Sequence, residues 1–317
     1  MTEPNLTGYM LWLVGAVLIG AAVFLLGGKK NAGRWMVPEL LLSILLGLVC
    51  GRLVFILVRI RWFLSENLLN LLWPSDPMNA YWGSGAHGMA LFGAMGGAVL
   101  ACWLLGRKSR STGKILDAMD PAAALAIALG RIGEFLIGEG IGFYVEEESL
   151  WFLPVALVDE WGGAVYAVFL WEAIAALIIF LVLVTFGRKL ENGYKARLFL
   201  ILFCSSQIVL EALRMDNCLT WQYLHVSELF AAAFLLAMMI AARVRKSAAP
   251  GRVPLSKGEA VLCFAVFVLL AGAAIALEFD AAGKLNMFAR PIDFLLEALC
   301  CIGFGIAAFR VVFGRKK

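Results

Sequence analysis

The sequence predicts an all-α integral membrane protein of about nine transmembrane helices, with its N-terminus outside and its C-terminus cytoplasmic. Three observations carry this. Hydrophobic residues make up 62% of the chain and charged residues 16%, with a mean hydropathy of +0.87. A soluble domain carries about a quarter charged residues, and no soluble fold has enough interior to hide this much apolar surface. The apolar residues fall into runs near 9–27, 37–58, 86–106, 118–138, 163–186, 197–213, 222–242, 259–278 and 291–313, each close to the roughly 20 residues that span a bilayer. Basic residues alternate between the intervening loops, which sets the orientation.

The first run follows Glu3 with no Lys or Arg before it, so it lacks the basic start of a signal peptide and is read as a helix. Lys29, Lys30 and Arg34 follow this run. Arg107, Lys108, Arg110 and Lys114 follow the third, and Arg188, Lys189, Lys195 and Arg197 the fifth. Arg243, Arg245, Lys246, Arg252 and Lys257 follow the seventh, and Arg315, Lys316 and Lys317 follow the ninth. Five successive loops on one side therefore agree with the positive-inside rule. Residues 59–85, with Trp62, Phe63 and Trp73, read as an amphipathic piece on the outer interface. Residues 139–162 form an acidic outer loop with Glu146, Glu147, Glu148, Asp159 and Glu160. The expected organisation is a seven-helix core at 1–245, a cytoplasmic linker at 246–258 and a further transmembrane hairpin with a basic tail at 259–317.

The seven cysteines show no metal-like spacing and do not form a disulfide framework. No metal, cofactor or nucleic-acid partner is expected. The informative residues are the charges inside apolar runs, because each costs about 2.5–3.5 kcal/mol at the centre of a lone helix. In the fourth run, Asp120-Pro121 suits a helix start on the cytoplasmic side. Arg131 and Glu134 then lie three apart on one face of its outer half, among glycines. The bland reading is a self-neutralising pair. The functional one is a guanidinium shaped to grip a phosphodiester through two parallel hydrogen bonds. In the sixth run Gln207, Glu211 and Arg214 form one polar stripe that ends at Asp216. His87 opens the third run at its outer end, and Gly93 to Gly97 gives that run a close-packing face. A neutral imidazole there can serve as a general base.

The order of these motifs resembles the bacterial prolipoprotein diacylglyceryl transferases. Their signature G-R-[IL]-G-N-F-I-N-G-E, followed by a short gap and Gly, is similar to Gly130 to Glu139 with Gly142. Their H-G-G-L-I-G resembles His87 to Gly93, and their R-x-x-x-E-x-x-R-x-x-D resembles Gln207 to Asp216 with one residue missing. Trp221-Gln222-Tyr223 and Gly51-Arg52-Leu53 add two weaker matches, and the likeness covers about 9–242. The departures are specific. Glu134 and Ile137 replace the signature asparagines, Gln207 stands where the family has an arginine, and Tyr166 to Glu172 replaces H-P-[ST]-Q-L-Y-E.

The resemblance implies transfer of diacylglyceryl from phosphatidylglycerol or a related phospholipid to the lipobox cysteine of a prolipoprotein signal peptide. It would act near the outer leaflet of the bacterial cytoplasmic membrane. It implies catalytic roles for His87, Arg131 and Glu139, with Glu134, Gly142, Gln207, Glu211 and Arg214 around the substrates. A catalytically silent paralogue that binds lipid or a partner is the alternative. A transporter is disfavoured because the polar residues gather in the outer half of the bilayer.

Overall fold

A computed structural model describes residues 5–27, 36–60, 89–109, 112–158, 162–190, 193–215, 219–221, 224–281, 285, 287, 288 and 290–316. Long helices dominate the described residues: α1 (Leu6–Gly27), α2 (Met36–Val58), α3 (Leu91–Ser109), α4 (Thr112–Gly133) and α5 (Val168–Thr185) are followed by α6 (Tyr194–Ala212), α7 (Val226–Val244), α8 (Lys257–Ala281) and α9 (Arg290–Phe313). Six stretches are long and apolar enough to cross a membrane: Thr7–Gly27, Met36–Val58, Val168–Lys189, Val226–Val244, Lys257–Asp280 and Ile292–Phe313. Helical backbone bonds its own polar groups, which lipid cannot do. The protein is thus an all-α membrane protein. The amphipathic piece expected at 59–85 lies almost wholly outside the described residues, as do Asp159 and Glu160.

One expectation is corrected. The fourth long helix does not start at Asp120-Pro121. It starts at Thr112 and carries Pro121 inside it. Proline marks a first helical turn only because that turn's N–H groups lack partners. Here the preceding turn is already helical, and Asp117 directs its carboxylate to a neighbouring helix.

The packing follows from small residues. Helices α2 and α3 form a tight pair. A methyl group on Gly93 would lie 2.7 Å from the carbonyl oxygen of Cys50, and one on Gly97 would overlap the Leu46 carbonyl. The close-packing face expected for α3 is therefore in use. Helix α1 lies on α4, where Trp12 Nε1 donates to the carbonyl of Leu129 at 2.6 Å. Helix α6 is central and packs against α4, α5, α7 and α9. The main core runs through Phe199, Phe203, Leu235, Met239 and Phe304, with Phe92 stacked on Phe230 and Phe234. Large apolar side chains such as Leu18, Leu41, Leu57 and Leu269 remain exposed, as a lipid-facing surface requires.

The α8–α9 hairpin joins this core through α9, which packs on α6 and α7. Residues 246–258 are tied down at the same end. Ser247 Oγ accepts from Arg197 Nη1 at 2.8 Å, and Ala249 N donates to the Phe313 carbonyl at 3.0 Å. Strands β5 (Arg252–Val253) and β6 (Arg315–Lys316) then pair antiparallel. At the other end, β1 (Ala156–Val158) and β2 (Ala164–Tyr166) form a small hairpin. It closes over Val145, Trp151 and Leu150. Strands β3 (Thr220–Trp221) and β4 (Leu224–His225) lead into α7. The six described cysteines are unpaired thiols.

The first turn of α6 is capped from α4. Asp117 Oδ2 accepts from Gly193 N at 2.8 Å, and Oδ1 accepts from Ala196 N at 3.1 Å. A carboxylate on these donors satisfies two otherwise orphaned N–H groups and opposes the helix dipole. Asp117→Ala is expected to cost about 1–2 kcal/mol. The check is thermal unfolding in detergent, where Asp117→Ala should melt several degrees below Asp117→Asn.

Candidate active site

The last turn of α4 places Arg131 inside the helix bundle. The chain then tightens into a 3-10 turn over Glu134–Ile137, which brings Glu134 back under Arg131. Arg131 Nη1 meets Glu134 Oε1 at 2.5 Å. From α6, Gln207 Oε1 accepts from Arg131 Nη2 at 3.2 Å, and Glu211 Oε1 lies 3.6 Å from the same nitrogen. From α5, Glu172 Oε1 lies 3.2 Å from Nη2 and accepts from Gln207 Nε2 at 3.1 Å. Arg214, just past the end of α6, holds Nη1 3.8 Å from Glu134, 3.7 Å from Glu172 and 3.8 Å from Glu211.

Two guanidinium groups thus share three carboxylates and one amide, and all six side chains are buried. With every group ionised the cluster carries one net negative charge. Its charges are satisfied unevenly. Arg131 is held by close contacts, whereas Glu134 Oε2 and Glu172 Oε2 accept no hydrogen bond among the described residues and lie 3.7–3.8 Å from Arg214. The three carboxylates lie closer to Arg131 than to Arg214.

The loop after the 3-10 turn holds this cluster in place. Gly140 adopts φ +72, and a methyl group there would press on Phe169 and on Glu134 Oε2 at 2.8 Å. Its carbonyl accepts from Phe169 N at 2.7 Å, at the start of α5. Gly142 N donates to the Tyr166 carbonyl at 2.8 Å, and Gly142 bridges to Arg214. Met215 N donates to the Ile141 carbonyl at 2.9 Å. One short strip of chain therefore splices the start of α5 to the end of α6. A side chain on Gly142 would meet the Leu213 carbonyl at 2.8 Å, so only glycine allows the splice.

The structure brings together Arg131, Glu134, Gln207, Glu211 and Arg214, with Gly142 as part of their frame. Glu139 is exposed at the end of the 3-10 turn, where its N–H donates to the Glu134 carbonyl at 3.1 Å. His87 lies outside the described residues, as does Asp216. Glu172 is a member the sequence reading did not single out, although a carboxylate inside an apolar run was the signal for it. Arg52, in the Gly51-Arg52-Leu53 match, stacks over Phe55 at 5.6 Å.

The family model of the prolipoprotein diacylglyceryl transferases matches residues 3–244. Three relatives carry the name phosphatidylglycerol–prolipoprotein diacylglyceryl transferase. That of Finegoldia magna is 33% identical over 156 residues, which is 48% of this chain and 60% of the relative. That of Prochlorococcus marinus is 27% identical over 231 residues, 66% of this chain and 74% of its own. That of Streptococcus pneumoniae is 27% identical over 255 residues, 76% of this chain and 91% of its own. The match takes in every helix that contributes to the buried cluster and stops before α8. This chain belongs to the prolipoprotein diacylglyceryl transferase family.

Proposed function

We propose that this protein transfers a diacylglyceryl group from phosphatidylglycerol, or a phospholipid like it, to the lipobox cysteine of a prolipoprotein signal peptide. The reaction would occur at the outer leaflet of a bacterial cytoplasmic membrane. The single observation that carries this reading is the convergence of Arg131 and Arg214, from α4 and the end of α6, on one buried site in a chain of this family. Two guanidinium groups that share the same carboxylates suit a phosphodiester, whose departing oxygens gain negative charge as the reaction proceeds.

In the proposed step the cysteine sulfur attacks the glyceryl carbon that bears the phosphate ester. A carbon–sulfur bond forms, the carbon–oxygen bond breaks, and glycerol phosphate leaves with the electron pair. A thiol with an ordinary pKa near 8.5 is mostly protonated at neutral pH, so its proton must pass to a base. His87 and the exposed Glu139 are the proposed acceptors. Arg214 would meet the phosphate from the end of α6. Arg131 would follow once Glu134 yields a hydrogen bond. The seven-helix core through 245 would carry this chemistry, with nine spans in all, the N-terminus outside, and the 259–317 hairpin as a brace.

A second reading has its own support. Glu134 already occupies Arg131 at 2.5 Å, which suits a silent paralogue that binds a lipid or partner without turning it over.

Rescue of a strain depleted of its own transferase separates the two. Wild type should restore growth, while Arg131→Ala and Arg214→Ala should each lower turnover on phosphatidylglycerol by about 100-fold. Wild type that reaches the membrane and gives no rescue, yet binds phosphatidylglycerol, would establish the silent reading. Glu134→Asn should release Arg131 and lower the KM for phosphatidylglycerol by about tenfold, equivalent to roughly 1.4 kcal/mol. A KM that rises instead would mean that Glu134 serves the substrate. For orientation, alkaline phosphatase fused after Glu148 should be active in cells, and fused after Lys246 inactive. The reverse pattern would invert the proposed topology.

A further inference from the structure

The α8–α9 hairpin lies beyond the family match, and it carries acidic residues at the end where its two helices meet: Glu278 and Asp280 on α8, Asp293 and Glu297 on α9. Asp280 has a local task. Its oxygens accept from Met287 N at 2.5 Å and Phe288 N at 2.7 Å, which closes the turn between the helices. The other acidic side chains need a different explanation.

Glu278 Oε1 lies 3.2 Å from His225 Nδ1, and the same nitrogen lies 3.3 Å from Glu228 Oε1. These three donor atoms come from β4, from the first turn of α7 and from the end of α8, and all lie within 4.8 Å of one another. A ring nitrogen carries one proton at most, so it can bond to only one of the two carboxylate oxygens it faces. Among the described residues Glu228 Oε1 is left without a hydrogen bond. Glu297, on α9, is 3% exposed, and neither of its oxygens accepts a hydrogen bond among the described residues. It stands in the electrostatic field of Glu278 and His225. Among the described residues no arginine or lysine forms an ion pair with Glu228, Glu278 or Glu297. This is the opposite of the Arg131 site, where every carboxylate faces a guanidinium.

Two carboxylates that meet one imidazole, with the buried Glu297 close by and no arginine or lysine ion pair to these carboxylates among the described residues, form a set that a cation would neutralise. The donor types say which kind, and the two separations at His225 allow it. Zinc ligand bonds of about 2.0–2.1 Å in a tetrahedron put donor atoms about 3.3–3.4 Å apart, close to the separations at His225. Magnesium and calcium prefer oxygen-only sets, whereas an imidazole among carboxylates favours a transition metal.

We propose that His225, Glu228 and Glu278 bind a divalent transition-metal ion of the zinc type, with Glu297 as the acceptor for a metal-bound water. His225 and Glu228 belong to the seven-helix core, while Glu278 and Glu297 belong to the hairpin. The ion therefore staples the added hairpin to the core. The staple lies near the active-site frame, because Phe294, one residue after Asp293, packs on Phe143 at 5.5 Å, next to Gly142.

The test uses the full chain in detergent, stripped with EDTA and then exposed to Zn2+ or Co2+ alone. Wild type should retain about one ion per chain after dialysis and melt several degrees higher with Zn2+ than without. The Co2+ form should show the visible absorption of a low-coordinate nitrogen-and-oxygen site. His225→Ala and Glu278→Gln should lose both signals, Glu297→Gln should weaken them, and Glu259→Gln, which removes a distant pair with Arg315, should keep them. Wild type that retains no metal and shows no shift would overturn the proposal whatever the variants do. So would retention of the same ion by His225→Ala.

Discussion

An arginine inside a helix bundle in lipid is stable only when its partners arrive from elsewhere in the chain, and Arg131 sets that condition for the whole core. Its carboxylate and amide partners come from the turn after α4, from α5 and from α6. Removing one side of a buried ion pair costs about 3–5 kcal/mol, because a charge is left unanswered where water cannot reach it. The positions of α4, α5 and α6 are therefore mutually dependent. The strip from Gly140 to Gly142 completes the arrangement by joining α5 to the end of α6 through backbone hydrogen bonds, which add no further charge.

The same lattice shapes the chemistry. With asparagine at 134 and arginine at 207, as in the signature this chain resembles, the six positions would hold three arginines and two glutamates. With Glu134 and Gln207 they hold two arginines and three glutamates. Gln207 preserves the connections of the lattice, since its oxygen accepts from Arg131 and its nitrogen donates to Glu172. What it does not preserve is the positive field. If the site binds an anionic headgroup as proposed, the headgroup competes with Glu134 for Arg131, while the same three carboxylates lie 3.7–3.8 Å from Arg214. The departures from the signature thus act together on the charge around Arg131.

The helices were legible in the sequence because lipid imposes a local rule. The run at 37–58 became Met36–Val58, and that at 259–278 became Lys257–Ala281. Arg131, Glu134, Gln207, Glu211 and Arg214 were legible for the same reason, since charge within an apolar run is visible without any knowledge of the fold. The start of α4 was not, because an internal proline and an N-terminal one leave the same local pattern. Glu172 carries the same local signal, but its partners on α4 and α6 are far from it in sequence. His225 and Glu278 are 53 residues apart, and no local pattern announces that β4 and the end of α8 meet.

Long-range ties of this kind also set helix register. Asp117 and Arg131 are fourteen residues apart on α4. Their partners on α6, Gly193 at its cap and Gln207 within it, are also fourteen apart. At 1.5 Å per residue, both intervals measure about 21 Å. The two helices therefore run parallel and are pinned at both ends with the same spacing. A slide of one turn would break the cap and the arginine lattice together. Neither tie alone would fix the register, since a cap tolerates fraying and a lone ion pair tolerates rotation about the helix axis. Acting together they hold α6 rigid between its two ends. That rigidity is what allows Glu211 and Arg214, at the far end of α6, to be aimed at groups carried by α4 and α5.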